Sequence, residues 1–331
     1  MEERNIDTLQ AKRTFSRVGL ALAAFLLVST VVQVLWFSVP AIVLGEADTI
    51  SNSAWWMWLG TMVSMYLIGL PVGLLILGGL PAQAPEAKKL GAKDFLVWIP
   101  ICICVMYGGN LIGTGLSMLL SGGKAENAVA EVAMDQSFLK VLVMVILAPL
   151  VEEYICRKQI IDRTRQYGEK TAVLLSGLTF ALLHQNFFQF FYAFGLGLIF
   201  AYIYTRTGKL RYSVVFHMII NFMGSVVAPG ILTLVDLDAL SNLDPNATDA
   251  ELMGVLGQLL PGFALYMLYA LFLMGMALAG LILLILKFRK LIWHPAAEEL
   301  PKGTAFKTVY LNVGMVIYVL LCAGGIVLAL L

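Results

Sequence analysis

Residues 139–150 read LKVLVMVILAPL, and Glu152, Glu153 and Arg157 follow at once. The first of these stretches has the apolar character of a membrane helix. Two adjacent carboxylates at the end of such a helix are costly unless they are buried in a bundle, paired or wetted. Glu153 and Arg157 are four residues apart, so one helical turn brings them together. Glu152 is left without that partner, which makes it the first functional candidate.

Composition extends this reading to the whole chain. Of 331 residues, 60% are hydrophobic and only 13% are charged, and mean hydropathy is +0.86. Soluble domains carry about 25% charge. Several apolar runs reach about 20 residues, the length that crosses a bilayer. The runs do not alternate polar and apolar positions, which excludes a β-barrel. The expected fold is all-α, a polytopic transmembrane helical bundle in the cell membrane. A net charge of +1 argues against a nucleic-acid partner. Cys102, Cys104, Cys156 and Cys322 lie in or beside apolar segments and read as small core residues, with no zinc-ribbon spacing. The start, MEERNIDTLQAKR, is too long and too acidic for a signal peptide, so the run after it reads as a retained first span.

Nine spans are expected, near 18–39, 57–80, 95–120, 138–157, 171–187, 188–205, 212–235, 261–286 and 309–331. Gly108, Gly109, Gly113 and Gly115 in the third predict a close helix contact or a kink. The basic stretch 158–170 reads as a helical extension at the surface, and 236–260 as an acidic loop without a basic residue. With the N-terminus inside and the C-terminus outside, 20 of the 22 lysines and arginines fall on the inner side, leaving Lys124 and Lys140 outside. This is a strong positive-inside bias. No internal repeat and no matched pair of broken helices is visible, which counts against a transporter.

Inside the apolar spans lie His184 and His217, where ionisable groups point to function. Phe180 is one turn before His184, and Asn221 one turn after His217. His294 reads as an interface residue. The bland alternative is polar glue between helices. Taken together, the groups are the inventory for hydrolysis. A carboxylate can take a proton from water, imidazoles can orient that water or hold a metal, and an amide can steady an oxyanion. Glu152, His184 and His217 also match a common catalytic zinc set, so a divalent metal such as zinc is a candidate cofactor. HExxH is absent, and neither Ser176 nor Ser213 stands in a nucleophile elbow.

The ordered pattern Glu152-Glu153-x-x-x-Arg157, Phe180-x-x-x-His184 and His217-x-x-x-Asn221 resembles the CPBP family, which holds the CAAX-prenyl endopeptidases and the bacteriocin-processing or immunity (Abi) proteins. The resemblance covers about 138–235. It implies a membrane endopeptidase acting on a membrane-associated or lipidated protein or peptide. By it, Glu152 is the general base, Glu153 assists or pairs with Arg157, His184 and His217 complete a water or metal site, and Asn221 stabilises the oxyanion. It divides the chain into a tail with three spans (1–137), a catalytic core (138–286), and a linker with a final span (287–331). A catalytically silent immunity or binding protein is the alternative on the same fold, and a transporter the second. One difficulty stands out. With these boundaries His184 lies about 20 Å along its helix, too deep to meet Glu152, unless 158–172 enters the membrane region as part of the cavity wall.

The charge bias makes a direct prediction. Single cysteines at positions 90 and 245 should label from opposite sides of the membrane, the first from inside and the second from outside. Equal outer labelling of both would overturn the orientation.

Overall fold

A computed structural model describes residues 8–44, 53–235 and 248–331. The chain is an all-α, multi-pass membrane protein. We label its long helical runs α1 (Thr8–Leu44), α2 (Ala54–Leu77), α3 (Ala92–Ser121), α4 (138–167), α5 (Glu169–Leu183), α6 (Phe187–Thr207), α7 (Leu210–Leu232), α8 (Asp249–Phe288) and α9 (Val313–Leu328). Among the described residues, six are long and apolar enough to cross a bilayer: α1, α2, α3, α6, α7 and α8. The other three expected spans fall on α4, whose second half is charged, and on α5 and α9, which have only 15 and 16 residues.

Three boundaries differ from the sequence reading. Residues 158–167 do extend α4 as a helix, but not at the surface, since Ile160, Ile161, Asp162, Thr164 and Tyr167 are buried. Apolar side chains alternate there with polar ones that find partners. The Asp162 carboxylate accepts from the Tyr204 hydroxyl (2.8 Å) and from Lys158 Nζ (3.3 Å). Second, 249–260 is not loop. α8 begins at Asp249, capped by Thr248 and Glu251, whose side chain and backbone groups bond reciprocally, a capping box. Asp236, Asp238 and Asp244 of the expected acidic loop lie outside the described residues. Third, α1 begins ten residues before the predicted span, and Arg17 within it donates to the carbonyls of Ile76 and Gly78 at the end of α2.

Continuation of α4 resolves the depth difficulty. α4 and α5 form a hairpin that turns at Gly168, whose φ of 138° suits glycine. Glu152 and His184 stand sixteen residues either side of it, so they reach the same level of the bundle.

The polar segments meet at one end. Gln83 N donates to Asp162 O, Lys88 N to Thr207 O, and Leu300 N to Tyr167 O, while Lys287 pairs with Asp94. At the other end Trp58 Nε1 donates to Asp135 (2.7 Å) and Lys140 Nζ to Ala133 O (2.8 Å). Between the ends, α6 packs on α3 and α5. Of the four α3 glycines, Gly109 and Gly113 make the close contact, with the α6 backbone at Tyr192 and Phe187, whereas Gly108 and Gly115 face open space. Small residues let helix backbones approach in a membrane, where lipid tails remove the usual hydrophobic drive.

Gly109→Leu should therefore lower the thermal unfolding midpoint sharply or abolish folding, because its side chain would overlap backbone. Gly108→Leu, one residue away, should leave the midpoint within error. Equal effects in a thermal-unfolding assay would contradict the α3–α6 contact.

Candidate active site

The site is built around the α4 carboxylates. Glu153 and Arg157 are fully buried and bond in a fork, Nε to Oε2 at 2.9 Å and Nη2 to Oε1 at 3.0 Å. Arg157 Nη1 donates to Ser176 Oγ (2.9 Å), and Ser176 in turn donates to Cys156 O (2.7 Å). The guanidinium lies 4.7 Å from the centroid of the Phe180 ring. Ser176 and Cys156 are thereby supports of this pair.

Hydrogen bonding sets both imidazoles in one tautomer. His217 Nδ1 lies 3.1 Å from Glu153 Oε1. A carboxylate held by arginine only accepts, so Nδ1 carries the proton and Nε2 the lone pair. His184 Nδ1 lies 2.8 Å from the Phe180 carbonyl oxygen, and the same reasoning leaves its Nε2 free. The Phe180 ring stands edge-on to both, with centroids 5.0 Å from His184 and 5.5 Å from His217. His217 Nε2 is 3.7 Å from Glu152 Oε2, too long for a direct hydrogen bond.

Glu152, Phe180, His184, His217 and Asn221 line one cavity of about 510 Å³. Glu153 and Arg157 do not line it. Glu153 therefore orients His217 and neutralises Arg157 rather than facing the cavity, a narrower placement than its grouping with the catalytic residues implied. Among the described residues no group of three or more His, Cys, Asp or Glu is placed to hold a metal ion; Glu152 and His217 are the two candidate ligands whose closest approach is 3.7 Å.

The cavity wall also includes Asn110 of α3 and Gln189 and Tyr192 of α6, which the sequence reading did not single out. Asn110 carried a signal, a lone amide in an apolar span. Tyr192 carried none, because an aromatic residue in an aromatic-rich helix looks like packing.

Asn221 owes its position to a proline. α4 is π-helical over Val141–Leu147, and Ala148 N bonds Val143 O, five residues back. In that register the Met144 carbonyl would next be met by residue 149, but Pro149 has no N–H. Asn221 Nδ2 donates to Met144 O instead (2.8 Å). One amide hydrogen of Asn221 is thus committed to structure, and the second remains for other work. A π-bulge of this kind is frequent at functional sites.

Residues 134–223 match the family model "Type II CAAX prenyl endopeptidase Rce1-like", a segment that contains Glu152 to Asn221. A curated relative, the membrane-embedded CAAX protease MroQ of Staphylococcus aureus (strain USA300), is 35% identical over 109 residues, 31% of this chain and 42% of that protein. The chain thus matches less than half the length of that relative. No solved structure matches. The similarity supports the CPBP/Abi superfamily and no particular enzyme within it.

Asn221→Leu should destabilise the protein by about 1–3 kcal/mol, because it orphans the Met144 carbonyl. Pro149→Ala in the same chain should recover most of the loss by returning a backbone N–H. Thermal unfolding of the two single variants and the double variant measures this coupling; purely additive losses would remove the assigned link.

Proposed function

We propose that the chain is an intramembrane endopeptidase that hydrolyses a peptide bond of a membrane-associated or lipidated protein or peptide. The observation that carries this reading is the convergence of one unpaired carboxylate, Glu152, with two imidazoles held as Nδ1–H tautomers on a single cavity. The protease character of the similar proteins supports it at family level. Their names point to CAAX substrates, that is, a C-terminal peptide on a lipid anchor.

In this mechanism a water molecule sits in the cavity beside Glu152 and His217 Nε2, which do not bond each other directly, and hydrogen-bonds to both. The water donates one hydrogen to an imidazole Nε2 and the other to Glu152. As oxygen attacks the scissile carbonyl carbon, Glu152 takes the proton. The second amide hydrogen of Asn221 meets the developing oxyanion. Glu152 then returns the proton to the leaving nitrogen as the C–N bond breaks. Glu153 and Arg157 keep His217 in place and do not touch substrate. By the charge bias, the end carrying the basic segments faces inward.

Removing a general base typically costs about 10²- to 10⁴-fold in rate. Glu152→Gln should therefore lower turnover at least about a hundredfold in liposomes while leaving the unfolding midpoint unchanged. Two substrates should be compared, a membrane peptide with a prenylated C-terminal CAAX sequence and its unmodified form. His184→Ala and His217→Ala should be comparably damaging. Near wild-type turnover by folded Glu152→Gln would defeat this mechanism and favour a non-catalytic binding protein.

A further inference from the structure

A second cavity, of about 440 Å³, lies at the basic end of the bundle, away from the site above. Five segments build it, among them the end of α6 with Thr205 and Arg206. The loop 81–91 crosses the end of α6, where Gly208, at φ 58°, admits the carbonyls of Pro85 and Glu86 against its backbone. The end of α4 brings Arg165, the start of α5 brings Glu169, and the loop after α8 brings Ile292 and His294.

The charges here do not cancel. Glu86 pairs with Lys88 at 2.8 Å. Glu169 is engaged twice, by the Arg206 guanidinium and by the backbone N–H of His294 (2.7 Å). Both carboxylates in the wall are thus occupied. Among the described residues Arg165 has no carboxylate in hydrogen-bond contact, and its Nε is buried without a hydrogen-bond acceptor; so is the Nε of Arg206. The two guanidiniums are near enough to repel each other. Buried guanidinium donors without acceptors are costly. An anion with several acceptor oxygens, placed in the cavity, would relieve the repulsion between the two guanidiniums. Phosphate fits the planar fork of arginine best.

The surroundings select the source of that phosphate. The cavity lies where several membrane helices end. Trp293 and Tyr202 stack edge to face beside it (5.4 Å), and Lys170 lies over the Trp293 ring (5.8 Å). Such aromatic groups occupy the headgroup level of a bilayer, and basic pockets at that level bind anionic headgroups. We propose that this cavity binds the phosphate of an anionic phospholipid headgroup, with Arg165 as its principal ligand.

The test uses the full chain in neutral detergent, titrated with short-chain phosphatidylglycerol, short-chain phosphatidylcholine or inorganic phosphate. The readouts are the thermal unfolding midpoint and the apparent Kd. Phosphatidylglycerol should raise the midpoint, and Arg165→Gln should weaken its binding roughly tenfold or more, the scale of one charge-assisted hydrogen bond. Arg165→Gln breaks no ion pair, so the lipid-free midpoint should hold. If it falls, Arg165→Lys keeps the charge without the fork and should still bind several-fold more weakly than wild type. Lys290→Gln, outside the cavity wall, should bind as wild type does. Inorganic phosphate stabilising as strongly as phosphatidylglycerol would replace the lipid with a soluble anion and overturn the assignment. Equal lipid affinity of wild type and both Arg165 variants, equal losses in the Arg165 and Lys290 variants, or no lipid-dependent stabilisation would each overturn it too.

Discussion

The ion pair between Glu153 and Arg157 is the constraint on which the rest of the core depends. Both groups are wholly buried in a membrane bundle, where an uncompensated charge costs several kcal/mol. The fork geometry answers that cost only because further partners complete it. Ser176 takes one arginine nitrogen, Phe180 covers the guanidinium face, and His217 takes a carboxylate oxygen. The first two come from α5 and the third from α7. The pair thus ties α4 to α5 and α7, and fixes the imidazole tautomer in doing so.

A second theme is the use of proline to free a backbone carbonyl. Three π-helical segments each stop one residue before an X–Pro step: Leu70 N bonds Met65 O, Ala148 N bonds Val143 O, and Ala228 N bonds Met223 O, just ahead of Pro71, Pro149 and Pro229. The wide turn accommodates the proline ring, which would otherwise clash with the preceding turn. All three segments contribute residues to the large cavity: Met65, Met144 and Gly224. Irregular backbone at membrane depth is tolerated where it lines a cavity or is buried in protein, and that is where these bulges are found.

Much of this was legible in the sequence. The all-α membrane class followed from hydropathy, and the polar groups Glu152, His184, His217 and Asn221 stood out because apolar spans make such residues expensive. Their order alone suggested a shared site. The division of labour between the adjacent Glu152 and Glu153 was legible too, because only Glu153 has an arginine one turn on. What the sequence concealed was that Glu153 also holds the His217 imidazole from behind the cavity wall. The burial of the α4 extension was hidden because Lys158, Arg163 and Arg165 dominate a polarity reading, although Ile160, Ile161 and Tyr167 between them are buried. The start of α8 was readable in Thr248-x-x-Glu251, a capping signal outweighed by the surrounding acidity. Asn110 and Tyr192 required the third dimension, since α3 and α6 are far apart in sequence and meet through Gly109.

The hairpin about Gly168 also has a bearing on biogenesis. Chains assemble from the N-terminus as they are made. Glu152 and His184 sit on one contiguous hairpin, and Arg157 neutralises Glu153 from within the same helix, so this half of the centre needs nothing that emerges later. His217 arrives only with α7, after α6 has been laid down. A nascent chain halted before α7 holds the carboxylate and one imidazole but lacks the second. The order of helices thus keeps the centre incomplete until most of the bundle that encloses it has been synthesised.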